Sequence, residues 1–152
     1  MLAAAAMAIT WLATTSGCGT TDLGTFEGVR DLQLDPNYYY CTVEPQVITP
    51  MRCSPGDPSQ GDGSGACHSN KSSMILADVE TPTPCTNGRP NSTPTADERS
   101  NYEATQLRAS RDVEASPLLT NPTGVNPSHP RKIFDTTSDQ ANIIRKWIQG
   151  GS

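Results

Sequence analysis

Five cysteines and two histidines carry most of the reactive chemistry available to this chain of 152 residues. Cys67 and His68 are adjacent, Cys53 lies upstream of them, Cys41 and Cys85 stand further out on either side, and His129 sits between Pro127 and Pro130. A thiol can close a disulfide, ligate a metal or hold a cofactor, and an imidazole offers a ring-nitrogen lone pair to a metal. Met51 and Met74 add thioether sulfurs, although a lone Met more often fills a core than ligates. Leaving Cys18 aside, four cysteines in an exported chain ordinarily mean two disulfides, such as Cys53 with Cys67 and Cys41 with Cys85; three pairings are open. Zinc is a third use of the thiols, disfavoured by their wide spacing.

Other chemistry is weakly represented. Gly-x-Ser-x-Gly, His-Glu-x-x-His and a phosphate loop do not occur, so the sequence points to a protein that is not an enzyme. The run from Gly61 to Gly65 lacks both the Lys of a P-loop and the spaced acids of a calcium loop, which leaves Asp57 and Asp62 as turn residues. A net charge of −5 with no basic cluster longer than Arg131-Lys132 argues against nucleic acid as a partner.

The elements that must position these groups are helical. Val43, Val47, Ile48 and Met51 recur at helical spacing after a cap at Thr42, with Pro50 expected to end the helix. Ser54 to Ala66 is a polar, Gly-rich loop that closes on Cys67-His68, and a second long loop over 79–100 carries Cys85. Tyr102 to Val113 suits a short helix, broken at Ser116-Pro117, with Leu118 and Leu119 placed to pack. The clearest element is the last. Ser138 or Thr137 caps it, Ile143, Ile144, Trp147 and Ile148 share a face, and Gly150-Gly151 stop it. No strand signal is read. With 13 Pro, 12 Gly and 34% hydrophobic residues, the expectation is a single small, mainly α domain with long Cys-containing loops, stabilised by disulfides, a metal or a cofactor.

Taken in order, Cys67-His68, Ser116-Pro117-Leu118-Leu119, His129-Pro130 and Trp147-Ile148-Gln149-Gly150-Gly151 resemble the small c-type cytochrome domains of exported bacterial proteins. The resemblance spans 38–152 and implies a cytochrome c-like fold with haem c. It makes Cys53 and Cys67 the thioether cysteines, His68 the proximal iron ligand and His129 the distal one, with Met51 and Met74 as weaker distal options. Thirteen residues separate Cys53 from Cys67 where the family has two. A Gly-rich loop can fold back over that length, because closure entropy grows slowly with loop size.

The N-terminus reads as an address. Leu2 to Ala13 is apolar, and Thr14 to Gly17 are small residues leading to Cys18, a segment that resembles the lipobox of bacterial lipoproteins. That resemblance implies a signal peptide over 1–17, a lipid on Cys18 and a tether over 18–37. The membrane is then a partner, and Gly19 rather than Asp after the Cys points to the outer membrane of the cell envelope. Two functions follow. One is electron transfer with redox protein partners; the other is a haem-free, disulfide-stapled structural or binding lipoprotein. An apolar cleft with His68 and His129 facing each other favours the first, and a Cys53–Cys67 disulfide with His68 in solvent favours the second.

Overall fold

The computed structural model describes residues 32–55, 68–69 and 72–151. The signal segment, Cys18, most of the expected tether, Asp57, Asp62 and Cys67 lie outside the described residues.

The first helix starts earlier than its apolar pattern suggests. Asp35 accepts a 2.8 Å bond from the N–H of Asn37 and Pro36 opens the first turn, so α1 (Pro36–Tyr38) begins ahead of the expected cap at Thr42. It runs directly into a π-helix (Tyr39–Ile48), with Pro45 in its interior rather than in a first turn. The wider winding buries adjacent pairs four residues apart: Tyr39 and Tyr40, Val43 and Glu44, Val47 and Ile48. Bonds spanning five residues continue past its end, from Thr49 N–H to Glu44 O at 3.0 Å and from Cys53 N–H to Ile48 O at 3.1 Å. Leu32 and Leu34, read as tether, pack on the core.

Where no strand was expected, β1 (Cys85–Thr86) pairs antiparallel with β2 (Arg89–Pro90). Their turn is Asn87-Gly88, both at positive φ, the conformation a tight two-residue hairpin requires. A Cys41–Cys85 disulfide fastens this hairpin to the π-helix, with Cα atoms 5.7 Å apart. The loop expected over 79–100 gives way at Thr95, where α2 (Ala96–Gln106) begins with a capping box. The Thr95 hydroxyl accepts from Glu98 N–H, and the Glu98 carboxylate accepts from Thr95 N–H and from both the N–H and hydroxyl of Thr83. The helix therefore ends near where the sequence centred it. Next come α3 (Pro117–Thr120), which buries Leu118 and Leu119, and α4 (Asp139–Ile148).

The α4 helix follows its sequence pattern. The Ser138 hydroxyl accepts from Ala141 N–H, Ile144, Trp147 and Ile148 are buried, and Gly150 and Gly151 leave at positive φ. A Cβ on Gly151 would stand 2.9 Å from that of Tyr38, so this stop also permits close contact with α1. Trp147 stacks at a tilt on Tyr39, ring centres 5.1 Å apart, and its indole N–H donates to Asp35 O at 3.0 Å.

Beside this aromatic centre lies a buried polar one. Glu44 accepts from the Tyr39 hydroxyl at 2.7 Å, from Asn101 Nδ2 at 3.2 Å and from Thr49 Oγ1 at 3.4 Å. Burial pushes its carboxyl above the ordinary 4.5; these donors pull it back only in part, and the charge of Glu98 adds to the rise. Between 4.5 and the raised value the native state holds a proton that the unfolded chain has released, so stability is lost as pH rises through that window. Urea midpoints measured from pH 4 to 8 are expected to show this loss, and Glu44→Gln to remove it; equal slopes in both proteins would refute the assignment. A second expectation concerns the staple. Its sequence separation of 44 residues implies that Cys41→Ser with Cys85→Ser costs about 4 kcal/mol in a denaturant titration, on the chain-entropy account.

Candidate functional site

A cavity of about 660 Å³ opens where the C-terminal end of the π-helix meets α3, α4 and the segment around His129. Val47, Ile48, Leu118, Phe134 and Ile144 give it an apolar wall. Met51 and Cys53, in the turn after the π-helix, also line it, as do Met74 and both histidines. The sequence expectation thus placed Cys53, His68, His129, Met51 and Met74 in one site, and all five border the same cavity. Cys67, the remaining residue of the expected set, lies outside the described residues.

Each histidine is held by its backbone first. His68 N–H donates to Ser54 O at 3.2 Å, and His68 O accepts from Leu76 N–H at 2.8 Å. The Ser54 hydroxyl donates to Leu76 O at 2.6 Å, so the start of the Gly-rich loop and the strand-like stretch after His68 are locked together. His129 N–H donates to Asn126 O at 3.2 Å. Asn126 is in turn fixed to α3, donating from Nδ2 to Asn121 Oδ1 at 2.7 Å and from N–H to Thr120 O at 3.0 Å. The Pro-bounded loop is therefore an extension of α3.

The side chains are then oriented by a shared device. His68 Nδ1 lies 3.0 Å from Met74 O and 2.7 Å from Ser72 Oγ, and His129 Nδ1 lies 2.5 Å from Arg131 O. A carbonyl oxygen only accepts, so Nδ1 must carry the proton in both rings. In the neutral imidazole this leaves the lone pair on Nε2, the arrangement that prepares a histidine to ligate a metal. Ser72 completes the hold on His68, since its hydroxyl donates to Met74 O while accepting from Met74 N–H at 3.2 Å. Nothing in the sequence marks Ser72: it is one of two serines in a short polar stretch without a motif.

The two rings lie near each other in a stacked arrangement, with centres 6.2 Å apart and planes within 19° of parallel. Burial lowers the His68 pKa from 6.5, with the nearby His129 and Arg108 adding to the fall and the bond to Met74 O opposing it. The ring is thus neutral, and its Nε2 lone pair available, at neutral pH.

No protein-family model, no curated protein and no solved structure matches this chain.

The tautomer and the pKa direction can be read together by NMR. In long-range proton–nitrogen spectra His68 is expected to be an Nδ1–H tautomer that titrates below 6.5. Because the unfolded chain takes up this proton first, stability attributable to His68 is lost as pH falls from 6.5 through the folded value. An Nε2–H tautomer, or a midpoint above 6.5, would contradict the geometry.

Proposed function

We propose that this chain is an exported, lipid-anchored cytochrome c-like electron-transfer protein whose haem c is held by Cys53, Cys67, His68 and His129. The observation that carries the proposal is the pair of neighbouring imidazoles, each with Nδ1 tied to a backbone carbonyl, lining one cavity with an apolar wall. A haem would need two nitrogen donors from the chain, which His68 and His129 would supply, and the cavity they line has the volume of a ligand of that size class.

When bound, haem c supplies an iron that takes up or gives away one electron. The chain's own residues do the rest. His68 and His129 would hold the iron through Nε2, and their Nδ1–H bonds hold ring orientation and raise donor strength. Val47, Ile48, Leu118, Phe134 and Ile144 keep water from the ring faces, which disfavours added charge on the metal. Cys53 borders the cavity next to Arg52, and Cys67 precedes His68 in sequence, so both thiols belong to segments that bound the site.

Export and anchoring belong to the same reading. The Cys41–Cys85 disulfide suits an oxidising compartment, and the segment ending at Cys18 resembles a lipidation site, so the membrane is a partner and exported redox proteins are the others. Among the described residues no helix is long and apolar enough to cross a membrane. That disulfide also favours a second reading, a haem-free stapled lipoprotein that binds an envelope partner.

Expression of the full chain with c-type maturation machinery separates the two readings. A pyridine haemochrome band with haem mass added covalently is expected, together with a low-spin spectrum that becomes high-spin in His68→Ala and in His129→Ala. A colourless product in which all four mature-domain thiols other than Cys18 are lost to disulfides would overturn electron transfer in favour of the stapled lipoprotein.

A further inference from the structure

Tyr39 is fully buried at the centre of a group of rings. Its ring centre lies 5.1 Å from that of Trp147, 5.3 Å from that of Tyr102 and 5.6 Å from that of Tyr40. Tyr102 is in turn 5.6 Å from Tyr40 and 6.1 Å from Trp147. Because Tyr102, on α2, is only half-buried, the group leads from the core to the surface. It also approaches the cavity, since Ile144, one turn before Trp147 on α4, is part of the cavity wall. Tyrosine and tryptophan give up single electrons more readily than the other aromatic side chains, and rings in contact pass them on.

The rings differ in what can become of their protons. A phenol or indole that has lost an electron is a strong acid, and in a buried place it persists only if a base takes its proton. The Trp147 indole N–H donates to Asp35 O at 3.0 Å and the Tyr102 hydroxyl to Leu34 O at 3.4 Å, but a backbone carbonyl accepts a hydrogen bond without taking the proton. The Tyr39 hydroxyl instead donates to Glu44 Oε2 at 2.7 Å. Its other neighbour, Thr105 Oγ1 at 3.3 Å, directs its own proton to Asn101 O and so leaves the phenol as the donor. Burial penalises charge here. It pushes the Glu44 carboxyl above 4.5 and, with the Glu44 charge, the Tyr39 phenol well above 10.0; Glu98 beside Glu44 and Cys53 beside Tyr39 act in the same direction. The phenol therefore does not lose its proton alone, and Glu44 holds a base of raised proton affinity against it.

We infer that Tyr39 is a one-electron redox site with Glu44 as its proton acceptor. An external one-electron oxidant of high potential, meeting the group at Tyr102, gains one electron. The Tyr39 O–H bond breaks, its proton forms an O–H bond on Glu44 Oε2, and Tyr39 is left as a neutral phenoxyl radical; reduction reverses both transfers. A carboxylate and a neutral phenol thus become a neutral acid and a neutral radical, so the step removes a buried charge where a charge is costly. Trp147, fully buried and bonded only to a carbonyl, would keep a positive charge in the core, so the electron deficiency comes to rest on Tyr39. The inference does not draw on the haem reading, because the oxidant comes from outside the chain.

The test oxidises the full chain at pH 8 with a photogenerated ruthenium(III) tris-bipyridine complex and follows the product by electron paramagnetic resonance and infrared difference spectroscopy. A neutral tyrosyl radical is expected, accompanied by the carbonyl stretch of a newly protonated carboxylic acid. Tyr39→Phe is expected to abolish the long-lived radical and Tyr102→Phe to retain it. Glu44→Gln is expected to shorten its lifetime by about tenfold or more, the factor that a hydrogen bond to a charged group represents. The amide still accepts the bond from the hydroxyl but cannot take its proton, so a purely structural Glu44 would leave the lifetime unchanged. Circular dichroism and the thermal midpoint establish that each variant is folded; if Glu44→Gln unfolds, the acid band of the parent decides, because it needs no substitution. Absence of a tyrosyl radical, a radical whose lifetime survives Tyr39→Phe, or one formed without the acid band would each sink the assignment. None of these readouts involves a haem band, so the haem reading stands or fails separately.

Discussion

The structure depends on one buried carboxyl. Glu44, fully enclosed, is the point at which the π-helix, α2 and the segment after His68 are joined, because Asn101 bonds Glu44 from one side and the backbone N–H and O of Ala77 from the other. The Tyr39 hydroxyl reaches both Glu44 and Thr105, and Thr105 donates to Asn101 O at 2.6 Å. A buried polar group left unpaired is costly, so a network in which every member is bonded tolerates few alternative packings. Among the described residues no buried side-chain nitrogen or oxygen lacks a partner. With Glu44 fixed, the next turn of the π-helix aims Val47 and Ile48 at the cavity, and the turn beyond it carries Met51, Arg52 and Cys53 to the rim.

This arrangement explains which parts of the fold were legible in the sequence. The α4 helix was readable to its caps because its buried stripe is apolar and its stop is a pair of glycines. The start of α2 was not, because its buried stripe is Glu98, Asn101 and Thr105, residues that a hydrophobic pattern reads as solvent-facing. Its signal lay instead in Thr95 and Glu98, a capping box embedded in a Pro-rich stretch. The hairpin was signalled by Asn87-Gly88 alone, since two-residue strands have no room for alternation. For the first helix, Asp35-Pro36 was the better signal than Thr42, and a π-helix shifts the period on which the apolar spacing was judged.

The site divides along the same line. Histidines and cysteines are few and chemically distinctive, so His68, His129 and Cys53 could be singled out by type and order before any contact was known. The groups that orient them could not. Met74 O and Arg131 O are backbone atoms, available at any residue, and Ser72 is one serine among many. The cavity-lining residues come from several separate segments, so no local window of sequence contains them together. Residues able to ligate are thus legible by type, whereas tautomer and orientation are properties of the folded arrangement.

The two halves of the molecule also divide the work of stability. One half is closed by covalent and polar means, with the Cys41–Cys85 disulfide holding the hairpin to the π-helix and Glu98 holding α2 to Thr83. The other half consists of the cavity wall and the segments bearing the two histidines, held by apolar packing, backbone bonds and local side-chain bonds such as those of Ser54 and Asn126. A ligand that bonds both imidazoles and covers Val47, Ile48, Leu118 and Phe134 would join those segments to each other directly. Because it would bind the folded chain and not the unfolded one, its affinity adds to the folding free energy by mass action. Rigidity is therefore built in covalently on the disulfide side of Glu44, and on the cavity side a ligand of that kind would add to it.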